Sequence, residues 1–190
     1  IWGRPTPYYK LAQDLSGDWG ELFLYDLVRD KGLTPIIDIS FMGPNLTLSA
    51  PEDMVWVIVN SPFWRNSLRE SVLNVVKSAQ PLYLMVGNEV NRWYEKYGLE
   101  GENGFRHFVT LYEEIYDAVK ELSPQTKIFC SFARELVSEQ READMSVLNL
   151  FNPEKLDLVA FTSYPYSVIS VNSPRMLPDD YYTRALNYLP

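Results

Sequence analysis

The chain has 190 residues, 46% of them hydrophobic and 22% charged, which is enough to bury a sizeable core and ordinary for a globular domain. A formal net charge of −8 with no Lys/Arg cluster argues against nucleic acid or an anionic membrane as the main partner and leaves neutral ligands open. No stretch approaches the roughly 20 apolar residues that span a bilayer, and a single cysteine, Cys130, excludes an internal disulfide without deciding the compartment.

At the N-terminus, Ile1-Trp2-Gly3-Arg4-Pro5 has no initiator Met, no basic n-region and no apolar h-region, so the expectation is an excised or processed piece with no visible signal peptide. Ile1-Trp2 reads as the end of a strand. A helix is expected over residues 19–31, with Asp18 as N-cap and Gly32 as a left-handed C-terminal stop. Residues 34–40 (TPIIDIS) read as a strand, followed by a loop whose Asn45-Leu46-Thr47 is a glycosylation sequon of consequence only in a secreted eukaryotic protein. Ser61-Pro62 opens the next helix, the hydroxyl as cap and Pro at the first helical position.

Residues 82–87 (LYLMVG) form the second strand run. Phe105, Phe108, Tyr112, Ile115 and Val119 then recur at helical spacing as one apolar stripe, which Pro124 terminates. Strand runs at 127–132 (KIFCSF) and 156–163 (LDLVAFTS) follow, and a last helix is expected after Pro178, with Asp179 or Asp180 near its positive end. Three of the four strand runs are nearly continuously apolar, as for parallel strands covered on both faces. The alternation of strands and helices predicts one α/β domain over 1–190, built from βα units. A complete (β/α)8 TIM barrel takes about 250 residues. The expected architecture is therefore an incomplete barrel, from the end of its second strand to its sixth helix, lacking the first and last strands.

Chemistry concentrates at Val86-Gly87-Asn88-Glu89-Val90-Asn91. Barrel active sites are built at the carboxyl ends of the strands, and a carboxylate there among apolar walls has its protonated form favoured, as a general acid requires. Strand alternation would point Asn88 and Glu89 to opposite faces, so both reach one site only if the strand ends in a bulge or turn near Gly87. On these residues alone, a polar loop start or helix cap is an equal alternative.

Val86-Gly87-Asn88-Glu89 resembles the Asn-Glu signature on the fourth strand of the clan A retaining glycoside hydrolases. Residues 33–42 (LTPIIDISFM) resemble that clan's third strand, Ser-Phe-Met being similar to the β-xylosidase branch. Residues 157–165 (DLVAFTSYP) resemble its sixth strand, with the Ser-Tyr-Pro ending also found in endo-β-1,4-galactanases; Ile1-Trp2 resembles the end of the second. The resemblance implies a glycosidase acting on β-linked oligo- or polysaccharides through two carboxylates about 5–5.5 Å apart. It makes Glu89 the acid/base, gives Asn88 a hydrogen bond to the sugar 2-hydroxyl, and sets Tyr164 beside the nucleophile. The nucleophile belongs to the clan's seventh strand. No Glu follows Glu154, so no residue here takes that role and the chain by itself is expected not to hydrolyse glycosides. A non-catalytic carbohydrate-binding barrel is the alternative from another class, and an unrelated barrel enzyme a third.

Trp2, Trp93 and Tyr166 near strand tips are candidate sugar-stacking platforms, with ordinary loop packing an equal alternative. Asp38 and Ser40 share a face with Ile36 and read first as a polar barrel interior. Glu135, just past the 127–132 strand, reads first as a solvated loop acid. His107 lies off the apolar stripe and is expected in solvent, and Cys130 is expected as a small buried thiol. One His and one Cys make a histidine triad or a His/Cys metal site implausible, and no phosphate-binding glycine loop is present, so neither metal nor cofactor is expected. The sequence leaves the oligomeric state and the compartment open.

Overall fold

The structure is a computed structural model that describes residues 7–168 and 171–190. The strand end expected at Ile1-Trp2, and with it the candidate platform Trp2, lies outside the described residues. In chain order the elements are α1 (Tyr8–Leu15), α2 (Asp18–Arg29), β1 (Ile36–Asp38), β2 (Met42–Gly43), β3 (Thr47–Leu48), α3 (Pro62–Ala79), β4 (Tyr83–Met85) and α4 (Asn91–Tyr97). They continue with α5 (Phe105–Leu122), β5 (Lys127–Ala133), β6 (Glu135–Leu136), β7 (Arg141–Glu142), β8 (Leu158–Thr162), α6 (Pro165–Val168) and α7 (Thr183–Leu186), joined in places by short 3-10 turns.

Three of the strand runs shrink to their hydrogen-bonded centres, the 127–132 run instead extends to Ala133, and the helices follow their apolar spacing. All five stripe residues of α5 are buried. Helix α1 was not expected from the sequence: eight residues without a capping side chain leave little local signal, yet Tyr8, Ala12 and Leu15, at i, i+4 and i+7, are buried. Two caps differ from expectation. Asp18 is the first residue of α2 rather than its cap, which is the extended Gly17, so its carboxylate sits in the positive first turn. The Ser61 hydroxyl accepts the Ile58 N–H at 3.0 Å instead of serving α3, whose start rests on Pro62. Gly32 does take the left-handed conformation, at φ +62. The expected last helix is reduced to the single turn α7, five residues beyond Pro178.

Strands β1, β4, β5 and β8 form one four-stranded sheet in that order, every pair parallel. Asp38 lies level with Met85, Met85 with Phe129, and Phe129 with Leu158. Each parallel strand therefore neighbours the next in the chain, and all four carboxyl ends lie at one end of the sheet. The fold is α/β. Long helical connections precede β4 and β5, whereas β5 reaches β8 through the β6–β7 hairpin and 3-10 turns. The sequon falls in the β2–β3 hairpin, where Asn45 and Leu46 are both left-handed, at φ 56 and 54.

Alternation sorts the sheet into two faces. Ile37, Leu84, Val86, Ile128, Cys130 and Phe132 join the main core with Trp64, Leu68, Phe108 and Tyr112 of the helices. The opposite set is only partly covered: Phe129 and Ser131 are each 3% exposed, but Ile36 is 58% and Leu158 41% exposed. The near-continuous apolar runs predicted cover on both faces; among the described residues the main core collects one. Cys130 is fully buried as expected, its thiol donating to the Val86 carbonyl, and burial raises its pKa well above the ordinary thiol range. Aromatic rings knit the helices to the strand exits: Phe41 stacks on Phe108 with centroids 4.3 Å apart, and Phe151 meets Phe105, Tyr112 and Phe132 edge-on.

Phe108 is fully buried at this junction. Phe108→Ala is expected to destabilise the chain by about 3–5 kcal/mol, read as a lowered urea midpoint with an unchanged slope. A loss under 1 kcal/mol would show that this junction is not tightly packed.

Candidate active site

The site is built where β4 leaves the sheet. Gly87 has φ +105, a region L side chains rarely adopt, and a Cβ there would lie 2.6 Å from Val90 Cγ1. One residue separates it from Glu89, itself left-handed at φ +52, which for a non-glycine residue marks local strain. The strand thus ends in the kind of turn that alternation required.

Ser131, in the middle of β5, holds this turn. Its N–H donates to the Gly87 carbonyl at 3.1 Å and its carbonyl accepts the Val90 N–H at 3.0 Å. Its hydroxyl accepts the Glu89 N–H at 2.9 Å and donates to Asn88 Oδ1 at 2.6 Å. One buried residue therefore fixes Asn88 and the backbone of Glu89 together. Asn91 completes the grip. Fully buried, its side-chain amide donates to the Ala133 carbonyl at 2.9 Å and accepts the Ala133 N–H at 2.8 Å, as a strand backbone would.

The Glu89 carboxylate is held from two sides. Thr162 Oγ1, at the end of β8, donates to Oε1 at 2.6 Å, and Arg92, in the first turn of α4, donates to Oε2 at 2.7 Å. The surroundings are polar, not the apolar walls expected from the sequence. The Glu89 side chain is 16% exposed and that of Arg92 42%.

Among the other sequence candidates, Tyr164 stands two residues past Thr162, 46% exposed, and its backbone N–H donates to Glu135 Oε2 at 2.6 Å. Tyr166 is 53% exposed. Trp93 belongs to the core instead of a platform: it is 1% exposed, donates from Nε1 to the Asn103 carbonyl and packs against Tyr97 and Phe41. Its position in the first turn of a helix, not in a loop, turned it inward. His107 is partly buried and its Nε2 lies 3.1 Å from the Gly101 carbonyl.

Glu135 corrects the expectation of a solvated loop acid. It is 4% exposed, and its carboxylate accepts from the Ser163 hydroxyl, the Tyr164 N–H and the Tyr181 hydroxyl. Burial, and then the bond to Glu135, push the Tyr181 phenol far above its ordinary range. Arg134 next to it is 3% exposed, pairs with Glu142 at 2.7 Å and donates to the Tyr181 carbonyl. The tips of β5 and β8 and the segment before α7 are thereby one polar network.

Ser131, Asn91, Arg92, Thr162 and Tyr181 were not singled out from the sequence. For Thr162 a signal existed, since alternation sets it on the face of Ala160 and Tyr164. For Ser131 it did not, because the register of β5 against β4 cannot be read from either strand. Asp38 lies on the partly covered face with one buried carboxylate oxygen lacking a partner, and Ser40 accepts the Met42 N–H. Among the described residues, no group of three or more His, Cys, Asp or Glu is arranged to hold a metal. Two concavities, of about 430 Å³ beside Arg134 and Arg184 and about 230 Å³ beside Arg106 and Glu113, lie away from Glu89. The polar side chains that surround Glu89 lie at the carboxyl end of the sheet.

No family model, no curated protein and no solved structure matches the chain.

Gly87→Ala is expected to cost on the order of 2–4 kcal/mol in urea unfolding, because it adds both a clash and a disfavoured φ. A near-neutral result would mean that the β4 exit can relax without the left-handed turn. Burial raises the Asp38 pKa to about 6, so the folded state holds that proton more tightly than the unfolded one. The resulting stability is present below pH about 4 and lost as pH rises through about 6. Asp38→Asn is expected to flatten this decline and to raise stability at pH 7 by on the order of 2 kcal/mol, measured as unfolding free energy against pH. An unchanged profile would show that Asp38 is solvated.

Proposed function

We propose that this chain carries the acid/base half of a retaining β-glycoside hydrolase built on a (β/α)8 barrel, with Glu89 as the proton donor. The observation that carries the reading is the convergence of Glu89, Asn88 and Thr162 at the carboxyl ends of β4 and β8, through the left-handed turn at Gly87 and the clasp of Ser131. The resemblance of three strand runs to the clan A retaining glycosidases, in chain order, points the same way.

In this reading a sugar lies across the strand tips. Ser131 occupies Asn88 Oδ1, which leaves the Asn88 amide nitrogen as the donor to the sugar 2-hydroxyl. Arg92, whose side chain is 42% exposed, yields its place at Oε2 to the glycosidic oxygen. A second carboxylate attacks the anomeric carbon and forms a glycosyl ester as the glycosidic C–O bond breaks, and the Glu89 proton passes to the departing oxygen. Water then attacks the ester, Glu89 takes its proton, and both carboxylates return to their starting states. Tyr164, at the rim beyond Thr162, borders the second carboxylate.

That second carboxylate is not assigned to any of the 190 residues, because no Glu follows Glu154. The same fact favours a second reading for the chain by itself: a carbohydrate-binding surface without turnover. The expected outcome for the isolated chain is retention of β-linked oligosaccharides with no hydrolysis of aryl β-glycosides. With a segment that supplies the second carboxylate, hydrolysis should proceed with retention of configuration. Glu89→Gln should then lower kcat/KM about 10²–10⁴-fold for poor leaving groups, and less for activated ones. A Glu89→Gln protein as active as the unaltered one on poor leaving groups rules the assignment out. Turnover by the isolated chain would place the second carboxylate within these residues.

A further inference from the structure

The β1-to-α3 connection carries the most exposed large aromatic among the described residues. Trp56 is 98% exposed and adopts φ +59, a conformation that is a rare outlier for so bulky a side chain. An indole ring in water with a strained backbone is doubly unfavourable. Such a combination persists where the flanking chain imposes it, and it clusters at ligand-binding positions.

The flanks here do impose it. The Met54 N–H closes a turn onto the Pro51 carbonyl, and on the other side the Ile58 N–H meets the Ser61 hydroxyl while the Ser61 N–H returns to the Ile58 carbonyl. Val59 is fully buried and its N–H donates to Asn103 Oδ1 at 3.1 Å, on the connection that follows α4. The tip is therefore held out from two anchored ends. Because β1 and β4 are parallel neighbours, their following connections lie at the same end of the sheet, so Trp56 stands at the end that carries Glu89.

We infer that Trp56 is a sugar-stacking platform on the β1-to-α3 connection, which binds a pyranose ring of a neutral glycan remote from the bond at Glu89. The inference rests on the glycosidase reading and adds to it a second binding position, so the ligand is an oligo- or polysaccharide spanning several units. Stacking of the apolar face of a pyranose on a flat indole needs the ring open on one side, which 98% exposure provides. The neighbouring charges select between occupants. Glu52 and Asp53, both exposed, stand four and three residues before Trp56, and the chain carries a net charge of −8. Anionic headgroups are repelled by such a tip, whereas an uncharged glycan is not.

The test is affinity electrophoresis of the 190-residue chain through gels containing β-1,4-xylan, β-1,4-galactan or mixed-linkage β-glucan. A parallel flotation assay uses 4:1 phosphatidylcholine:phosphatidylserine vesicles. The expected result is retardation by at least one glycan, weakened about tenfold in Trp56→Ala and largely kept in Trp56→Phe, with no flotation. Circular dichroism checks the fold of both variants, which the exposure of the side chain predicts to be intact. Glycan binding by Trp56→Ala equal to that of the unaltered chain overturns the platform alone and leaves the glycosidase reading standing. Flotation lost in Trp56→Ala, without glycan binding, overturns the platform in favour of a membrane contact. Binding to none of the three glycans overturns both the platform and the reading beneath it.

Discussion

The clasp of Ser131 on the exit of β4 is the interaction on which the rest of the candidate site depends. Four hydrogen bonds run from one residue of β5 to Gly87, Asn88, Glu89 and Val90. They hold open a left-handed turn that Glu89 would not choose by itself, and the cost of that conformation is offset by bonds made in a nearly water-free position, where each counts for more than at the surface. Gly87 permits the turn, since any side chain there would collide with Val90 and crowd Phe108. The aromatic core and the polar site are thus coupled at one glycine.

Glu89 and Glu135, both at this end of the sheet, have opposite environments. Glu89 is partly exposed, bonded to a hydroxyl on one side and to a half-exposed arginine on the other, so a ligand can compete for it. Glu135 is buried with three donors already in place and ties Ser163, Tyr164 and Tyr181 together. A carboxylate so fully satisfied shapes the rim where Tyr164 emerges, while Glu89 keeps part of its surface open to water. Arg134, with Glu142 and the Tyr181 carbonyl, braces the same rim from behind.

The stability of the sheet is unevenly supplied. One set of alternating residues is sealed by α1, α3 and α5 and the aromatic cluster, and the other retains Ile36 and Leu158 in partial contact with water. Asp38 sits on this second set with an unpartnered buried oxygen, so desolvation raises its pKa and couples the stability of that face to pH. The polar groups of the site and the partly covered face lie on the same side of the strands, because Asp38, Ser131 and Thr162 all belong to the set that alternation turns away from the helices.

The sequence by itself determined the order of the four parallel strand cores and of helices α2, α3 and α5, the apolar stripe of α5, the buried Cys130 and the need for a turn at Gly87. All are local: helical and strand periodicities, glycine's conformational range and the size of apolar runs act within a few residues. Only the tertiary structure decided which partners those residues meet. The register of β5 against β4 put Ser131 under Glu89, and that of β8 against β5 carried Thr162 to the carboxylate. Helix α4 began early enough to bury Trp93, the segment before α7 folded back to bury Glu135, and the anchored β1-to-α3 connection left Trp56 in water. Register and burial are set by packing between segments far apart in the chain, and no window of the sequence contains both sides of those contacts.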